Sequence, residues 1–133
     1  MSTPPTPPAP PPPLGWHHLV ELYGCEVAAL DDLPRVEAAL IAAAKAAGAT
    51  VLDVRFHKFA PQGVSGVVLI AESHLSVHTW PEHAYAAVDL FTCGATLDAE
   101  PAVALLQAAL RATTVSRQAI PRGRALIPPR PAA

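Results

Sequence analysis

Apolar and polar residues alternate along several stretches of the chain, and a two-residue repeat is typical of a half-buried strand. The expected strands lie at 17–23, 50–59, 65–71, 74–80, 85–92 and 113–120. In the second of these strands, the alternation puts Leu52, Val54 and Phe56 together on one face. The third strand is continuously apolar, which is typical of a central strand that is buried on both faces.

Two segments have the spacing of three to four residues that is typical of an amphipathic helix. The first follows Asp32, a residue type that caps helix N-termini, and ends at Gly48. The second runs from Asp98 to about Arg111. Because strands outnumber helices and several strands are too close in sequence for crossover helices, we expect an α+β fold. The predicted architecture is a two-layer sandwich, an antiparallel sheet with two helices packed on one face.

Proline dominates both ends of the chain and separates them from the patterned region. A proline run forms neither a helix nor a strand ladder, so residues 1–14 are predicted to be a disordered or polyproline tail. The stretch 121–133 is predicted to be a loose C-terminal tail, which leaves 15–120 as the folded domain. A PxxP ligand for a partner module is an alternative use of the N-terminal run.

Composition narrows the classes of function. The 133 residues carry a formal net charge of −2, whereas proteins that bind nucleic acids normally have a basic surface. No apolar run approaches the roughly 20 residues that a membrane-spanning helix needs. The N-terminus also lacks the basic and apolar segments of a signal peptide. We therefore expect a cytoplasmic protein with no nucleic-acid partner and no membrane association.

The residues that can carry chemistry concentrate between positions 72 and 94, in ESHLSVHTWPEHAYAAVDLFTCG. On the strand at 74–80, alternation places four polar or aromatic residues on one face: His74, Ser76, His78 and Trp80. The plainest interpretation is a solvated face of a half-covered sheet. Cys25, outside this segment, is expected to be an apolar core residue.

A metal site and a hydrolase site are the other interpretations of these residues. The possible metal ligands are His74, His78, His83 and Cys93. Two histidines four residues apart on a strand lie roughly 13 Å apart, too far to share one ion, so we expect no metal. A serine hydrolase is disfavoured because the chain has no GxSxG nucleophile elbow.

The motifs of this segment are those of a known family. The string ESHLSVHTWPE followed by YAAVDLFTCG, with FHKFAPQGVSGVVLIAES upstream, resembles the signature of prokaryotic S-adenosylmethionine decarboxylase proenzymes. The similarity extends from about Gly15 to Arg111. The proline-rich head is not part of the family pattern, and the chain beyond Ala112 matches it weakly.

The resemblance implies that the chain cuts itself between Glu72 and Ser73, giving a β chain of residues 1–72 and an α chain of residues 73–133. In the family the serine becomes a covalent pyruvoyl group, the cofactor, which forms a Schiff base with the substrate amine. The implied activity is the decarboxylation of S-adenosylmethionine, which supplies the aminopropyl donor for spermidine. A pyruvoyl-dependent arginine or ornithine decarboxylase on the same fold is the alternative, and an unprocessed binding homologue is a third hypothesis.

The resemblance also assigns roles to individual side chains. It implies that His78 is the base for processing, that Ser65 assists processing and that Cys93 donates the proton that returns to the substrate carbon. Ser73 and His78 are five residues apart, so an unbroken strand would place them on opposite faces. We therefore expect a bend near residue 73 if one residue serves the other.

The substrate contacts implied by the resemblance lie nearby. Phe59 and Trp80 are candidates to stack on the adenine, because flat aromatic faces suit a purine. Glu82 is the candidate to bind the ribose hydroxyls, since one carboxylate can accept from two vicinal hydroxyls. The family forms dimers with each site built from both protomers, so we expect a homo-oligomer.

Overall fold

A computed structural model describes residues 2–7, 9, 11–93 and 96–123 of the chain. Within these residues, six strands and three helices follow one another along the sequence. They are β1 (Gly15–Tyr23), α1 (Val27–Leu30), α2 (Leu33–Ala46), β2 (Val51–Lys58), β3 (Val64–Ile70), β4 (Ser73–Trp80), β5 (Tyr85–Cys93), α3 (Ala99–Leu110) and β6 (Thr114–Arg122). A single 3-10 turn, Pro81–His83, separates β4 from β5.

The six strands form one sheet in the order β2-β3-β4-β5-β1-β6, and every neighbouring pair is antiparallel. Helices α2 and α3 contact each other; α2 packs on β2, β3 and β4, and α3 contacts β1. The predicted α+β two-layer architecture is therefore confirmed. The short helix α1 was not predicted, because four residues are too few to produce a recognisable periodicity.

Both long helices begin and end at the residues that the sequence indicates. The Asp32 carboxylate accepts a hydrogen bond from the Arg35 amide at 3.3 Å, which satisfies one of the free N–H groups of the first turn of α2. Gly48 follows the helix with a φ of 89°, a conformation that glycine adopts at little cost. The Asp98 carboxylate caps α3 in the same way, accepting from the Glu100 amide at 3.0 Å.

The core lies between the sheet and the helices. Its largest fully buried side chains include Leu22, Leu30, Leu40, Ile70, Leu75, Leu90, Leu106 and Leu110. On β4, Leu75, Val77 and Thr79 face this core, while the residues between them face away, as the alternation predicted. The Thr79 hydroxyl is buried but donates to the Leu30 carbonyl at 2.8 Å, so its burial leaves no unpaired donor.

The opposite face of the sheet carries apolar side chains that none of the helices in the described residues covers, and we call it the open face. Val67 is 37% exposed and Leu69 is 48% exposed, although each alternates with a fully buried neighbour on β3. The expectation that this strand is buried on both faces is therefore wrong for the single chain. Leu52 was expected on the same face as Val54, but it is 60% exposed. The reason is a bulge between Val51 and Asp53, which shifts the register of β2.

The ends of the folded region differ slightly from the expected ones. Residues 2–7, 9 and 11–13 form neither helix nor strand. The last strand continues to Arg122, beyond the expected end at residue 120. Of the predicted C-terminal tail, residues 124–133 lie outside the described residues. No helix in the described part of the chain is long and apolar enough to cross a membrane.

Candidate active site

A tight hairpin carries the bond at which cleavage is expected. Strand β3 ends at Ile70 and β4 begins at Ser73, so only Ala71 and Glu72 form the turn between them. Ser73 pairs with Ile70 on one side and with Thr92 on the other, yet its φ is 150°. Residues with a Cβ rarely adopt positive φ values, and such a conformation costs on the order of 1–3 kcal/mol. The expected break in the strand pattern therefore lies at Ser73 itself.

Residues around the bond between Glu72 and Ser73 are held by hydrogen bonds from other parts of the chain. The Cys93 amide donates to the Glu72 carbonyl oxygen at 3.0 Å. The Thr50 amide donates to Oε1 of the Glu72 side chain at 3.2 Å. The Ser73 hydroxyl lies 3.2 Å from Nδ1 of the adjacent His74. We call the group of Glu72, Ser73 and Cys93 the cleavage end; the thiol of Cys93 there is free and exposed.

A second group of the expected residues surrounds a cavity at the other end of β4. The Ser65 hydroxyl lies 2.7 Å from Nδ1 of His78, its cross-strand partner. Both residues line a cavity of about 300 Å³, together with Phe59, Trp80 and Glu82. We call these five residues the pocket end. The cavity has one serine–histidine pair, two aromatic faces and one carboxylate, a combination that can orient a polar aromatic ligand.

The loop that carries Phe59 into the pocket end is fastened to the end of α1. The Gly63 amide donates to the Asp31 carboxylate at 2.9 Å, and Lys58 Nζ lies 2.7 Å from the same oxygen. The hydrogen bonds from Lys58 and from Gly63 hold the pKa of the Asp31 carboxyl below its ordinary value of 3.8. The Phe59 amide in turn donates to the Gly63 carbonyl at 2.8 Å, which closes the loop. Sequence reasoning missed Asp31, because its contact depends on a loop 32 residues away.

A stack of rings orients the indole of Trp80. Its ring centroid lies 5.2 Å from that of Tyr85, which in turn stacks on Tyr23 at 5.4 Å. The Tyr85 hydroxyl donates to the Glu21 carboxylate. Burial, together with this hydrogen bond, raises the pKa of the Tyr85 hydroxyl, so the phenol stays neutral and remains a donor. Sequence reasoning missed Glu21 and Tyr85. The alternation along their strands could have indicated that they lie on the same face as Trp80.

A polar cluster on the open face lies between the two ends. His17 Nε2 is 3.0 Å from Asp89 Oδ1, and the Ser76 hydroxyl donates to Asp89 Oδ2 at 3.1 Å. The aspartate stands between the serine and the histidine, so the histidine does not contact the hydroxyl. This order does not activate a nucleophile, which requires the base to contact the hydroxyl directly. The cluster is therefore a partly buried hydrogen-bond network on the open face and not a hydrolase triad.

The cleavage end and the pocket end are not brought together within one chain. Ser73 and His78 lie on the same strand, five residues apart, and a strand rises about 3.3 Å per residue. Their backbones are therefore roughly 17 Å apart, whereas a hydrogen bond spans about 3 Å. The bend at Ser73 does not bring the two side chains together, because His78 remains paired with Ser65. Each end holds only part of the expected set.

Comparisons with known proteins show which family the chain belongs to. A sequence model of the S-adenosylmethionine decarboxylase family matches residues 16–123. The chain is 49% identical over 110 residues to S-adenosylmethionine decarboxylase proenzyme 2 of Halalkalibacterium halodurans, covering 83% of this chain and 87% of that protein. It is 50% identical over 120 residues to the S-adenosylmethionine decarboxylase proenzyme of Moorella thermoacetica, covering 90% of this chain and 95% of that protein.

A solved structure has the same fold. The crystal structure of the adenosylmethionine decarboxylase from Aquifex aeolicus superposes with a TM-score of 0.78 at 37% sequence identity. The match covers 85% of this chain and 93% of that chain. Sequence and fold thus agree over nearly the whole patterned region, and the chain belongs to the S-adenosylmethionine decarboxylase family.

Proposed function

We propose that this protein is a self-cleaving, pyruvoyl-dependent decarboxylase that acts on S-adenosylmethionine and supplies the aminopropyl donor for spermidine. The observation that carries the proposal is the backbone conformation and hydrogen bonding at the Glu72–Ser73 peptide. The serine directly follows a two-residue turn and has a φ of 150°, and the oxygen of the Glu72 carbonyl group that it must attack already accepts a hydrogen bond from the Cys93 amide. A plain hairpin does not require a positive φ at a residue that has a Cβ.

The arrangement at the cleavage end supports an N-to-O acyl shift. The Ser73 Oγ would attack the Glu72 carbonyl carbon, the C–N bond would break, and the hydroxyl proton would pass to the released nitrogen. The shift from amide to ester is unfavourable for a relaxed peptide. Strain of about 1–3 kcal/mol at Ser73 offsets part of that cost. The Cys93 amide, 3.0 Å from the carbonyl oxygen, would stabilise the negative charge that develops there.

Removal of the α-proton of Ser73 would then break the ester and release residues 1–72 as the β chain. Hydrolysis of the remaining enamine with loss of ammonia leaves the α chain, residues 73–133, with an N-terminal pyruvoyl group. His78 is our candidate for the base, because an imidazole titrates near neutral pH. The Ser65 hydroxyl contacts its Nδ1 at 2.7 Å and would orient the ring for this proton transfer.

The residues present fit a pyruvoyl group at position 73, since a serine hydroxyl, a strained backbone conformation and an amide donor meet there. When formed, the group supplies an electron-withdrawing carbonyl that stabilises the charge left when carbon dioxide departs. The exposed thiol of Cys93 would hold the proton that the substrate carbon takes up. Phe59 and Trp80 would stack on the adenine, and Glu82 would accept hydrogen bonds from the ribose hydroxyls.

A complete site needs the cleavage end of one protomer and the pocket end of another. The two ends of one chain are roughly 17 Å apart along β4, and the open face between them exposes Val67 and Leu69. An exposed apolar face of this kind is typical of an association surface. We propose a homodimer that packs its open faces together with the β4 strands antiparallel, so that Ser73 meets His78 of the partner subunit.

Three further assignments complete the proposal. The enzyme acts in the cytoplasm, where the thiol of Cys93 stays reduced. The folded catalytic domain spans about residues 15–120. The proline-rich segment 1–14 and the segment 121–133 are tails outside catalysis, although Pro121 and Arg122 extend β6.

The release of carbon dioxide tests the substrate. Purified, cleaved protein is incubated in parallel with carboxyl-labelled S-adenosylmethionine, arginine and ornithine, with a Ser73→Ala variant as the matched control. We expect release from S-adenosylmethionine alone and none from the variant. Release of carbon dioxide from arginine or ornithine, without turnover of S-adenosylmethionine, would contradict the assigned substrate.

A further inference from the structure

The residue before the cleaved bond has a side chain that the acyl shift does not use. Chemistry at the Glu72–Ser73 bond involves the Glu72 carbonyl and the Ser73 hydroxyl, and any residue could supply the carbonyl. The Glu72 carboxylate nevertheless has a defined partner, since Oε1 accepts from the Thr50 amide at 3.2 Å. The Thr50 carbonyl in turn accepts from the Ala71 amide at 2.9 Å. These two hydrogen bonds tie both residues of the turn to the residue that precedes β2.

Glu72 is thereby held at two points on opposite sides of the hairpin. Its side chain binds Thr50, next to the strand that pairs with β3, and its carbonyl binds the Cys93 amide at the end of β5. Ser73, whose φ is 150°, follows the anchored Glu72 carbonyl directly in the chain. A backbone conformation that costs about 1–3 kcal/mol persists only where the surrounding contacts determine it.

We propose that Glu72 is a positioning residue for self-cleavage, and that its carboxylate, held by the Thr50 amide, keeps the Glu72 carbonyl on the Cys93 amide while Ser73 attacks. The inference rests on the proposed self-cleavage at this bond. The carboxylate takes no part in the bond changes: it neither gains nor loses a proton, and it becomes part of the last residue of the β chain. Its contribution is made before the reaction, by limiting the motion of the turn.

Two substitutions separate the hydrogen bond from other effects of the side chain. Glu72→Ala removes the acceptor, whereas Glu72→Gln keeps an amide oxygen that can accept from the Thr50 amide. Glu37→Ala, which removes a glutamate from the middle of α2, is the matched control. Freshly made protein is sampled over time and resolved under denaturing conditions, and the first-order rate of cleavage is measured.

We expect Glu72→Ala to slow cleavage about tenfold, which corresponds to about 1.4 kcal/mol of activation free energy. Glu72→Gln should recover the rate to within about threefold, and Glu37→Ala should cleave like the parent. Amide hydrogen exchange, measured in the uncleavable Ser73→Ala background, should be faster at Thr50 when alanine replaces Glu72. A role in general stability would instead lower the melting temperature of that background without a selective change at Thr50.

The outcomes that overturn this inference differ from those that overturn the proposed function. Cleavage of Glu72→Ala at the parental rate would overturn the positioning role and leave self-cleavage intact. Equal slowing by alanine and by glutamine, with no recovery, would also overturn it, because the hydrogen bond would then not be the cause. A parent protein that never cleaves would instead overturn the proposed function itself.

Discussion

The separation of Ser73 from His78 predicts that two inactive variants will restore each other. Five residues of strand place their backbones roughly 17 Å apart, and β4 is held in register on both sides by β3 and β5. His78 therefore cannot serve Ser73 of its own chain without breaking the sheet. In the proposed homodimer, it serves Ser73 of the partner subunit. The Ser73→Ala chain keeps a working His78, and the His78→Ala chain keeps a working Ser73.

Co-expression of the two variants with distinguishable tags gives a mixture of dimers. With equal amounts and random pairing, about half of the His78→Ala chains sit in mixed dimers, each with one complete site. We expect about half of those chains to be cleaved and none of the Ser73→Ala chains, measured by mass spectrometry under denaturing conditions. The control pairs His78→Ala with a double variant that lacks both residues, and it should stay uncut. No cleavage in the mixture, while the parent cleaves fully, would refute the shared site.

Three other predictions test separate parts of the structure. Cys93→Ala should still cleave but lose at least about a hundredfold in kcat, the usual contribution of a general acid, as measured by carbon dioxide release. Asp31→Asn should lower the urea midpoint at pH 7; since the folded-state pKa lies below 3.8, the difference should shrink as the pH falls below 3.8 and vanish only below the folded-state pKa. Gly66→Ala should cost about 1–3 kcal/mol in urea unfolding, because its Cβ would lie 2.0 Å from the Phe56 ring. An unchanged kcat or urea midpoint in any of the three variants would contradict the corresponding prediction.

Much of the fold follows from local patterns in the sequence. The Asp32 cap and Gly48 bound α2, because both act through contacts within a few residues. The alternation of β4 separates buried Leu75 and Val77 from the open face, because one side of the sheet is covered by helices. Neither prediction needs information from distant parts of the chain.

Other features depend on contacts that no local pattern records. The exposure of Leu52 results from a bulge that two strands define together, and no feature of β2 alone indicates it. Val67 and Leu69 look like core residues in the sequence and are exposed in the chain. Their apolar character is explained if a second protomer covers the open face, which is a property of an assembly and not of one chain.

The candidate site also has features that the sequence predicts and features that it does not. The side chains that the resemblance implies all lie within the described residues. Pattern alone could not show that Ser65 contacts His78 while Ser73 contacts neither. That pairing follows from the two-residue turn at Ala71 and Glu72, because a hairpin turn of fixed length sets the register of both strands.

The intact mass of the purified protein under denaturing conditions tests the central claim, cleavage at Ser73, most directly. We expect two chains, residues 1–72 and residues 73–133, and the second should begin with a pyruvoyl group that blocks N-terminal sequencing. Reduction with borohydride should shift the mass of that chain by two hydrogens. A single chain of 133 residues after long incubation, or an α chain that begins with an unmodified serine, would contradict the account.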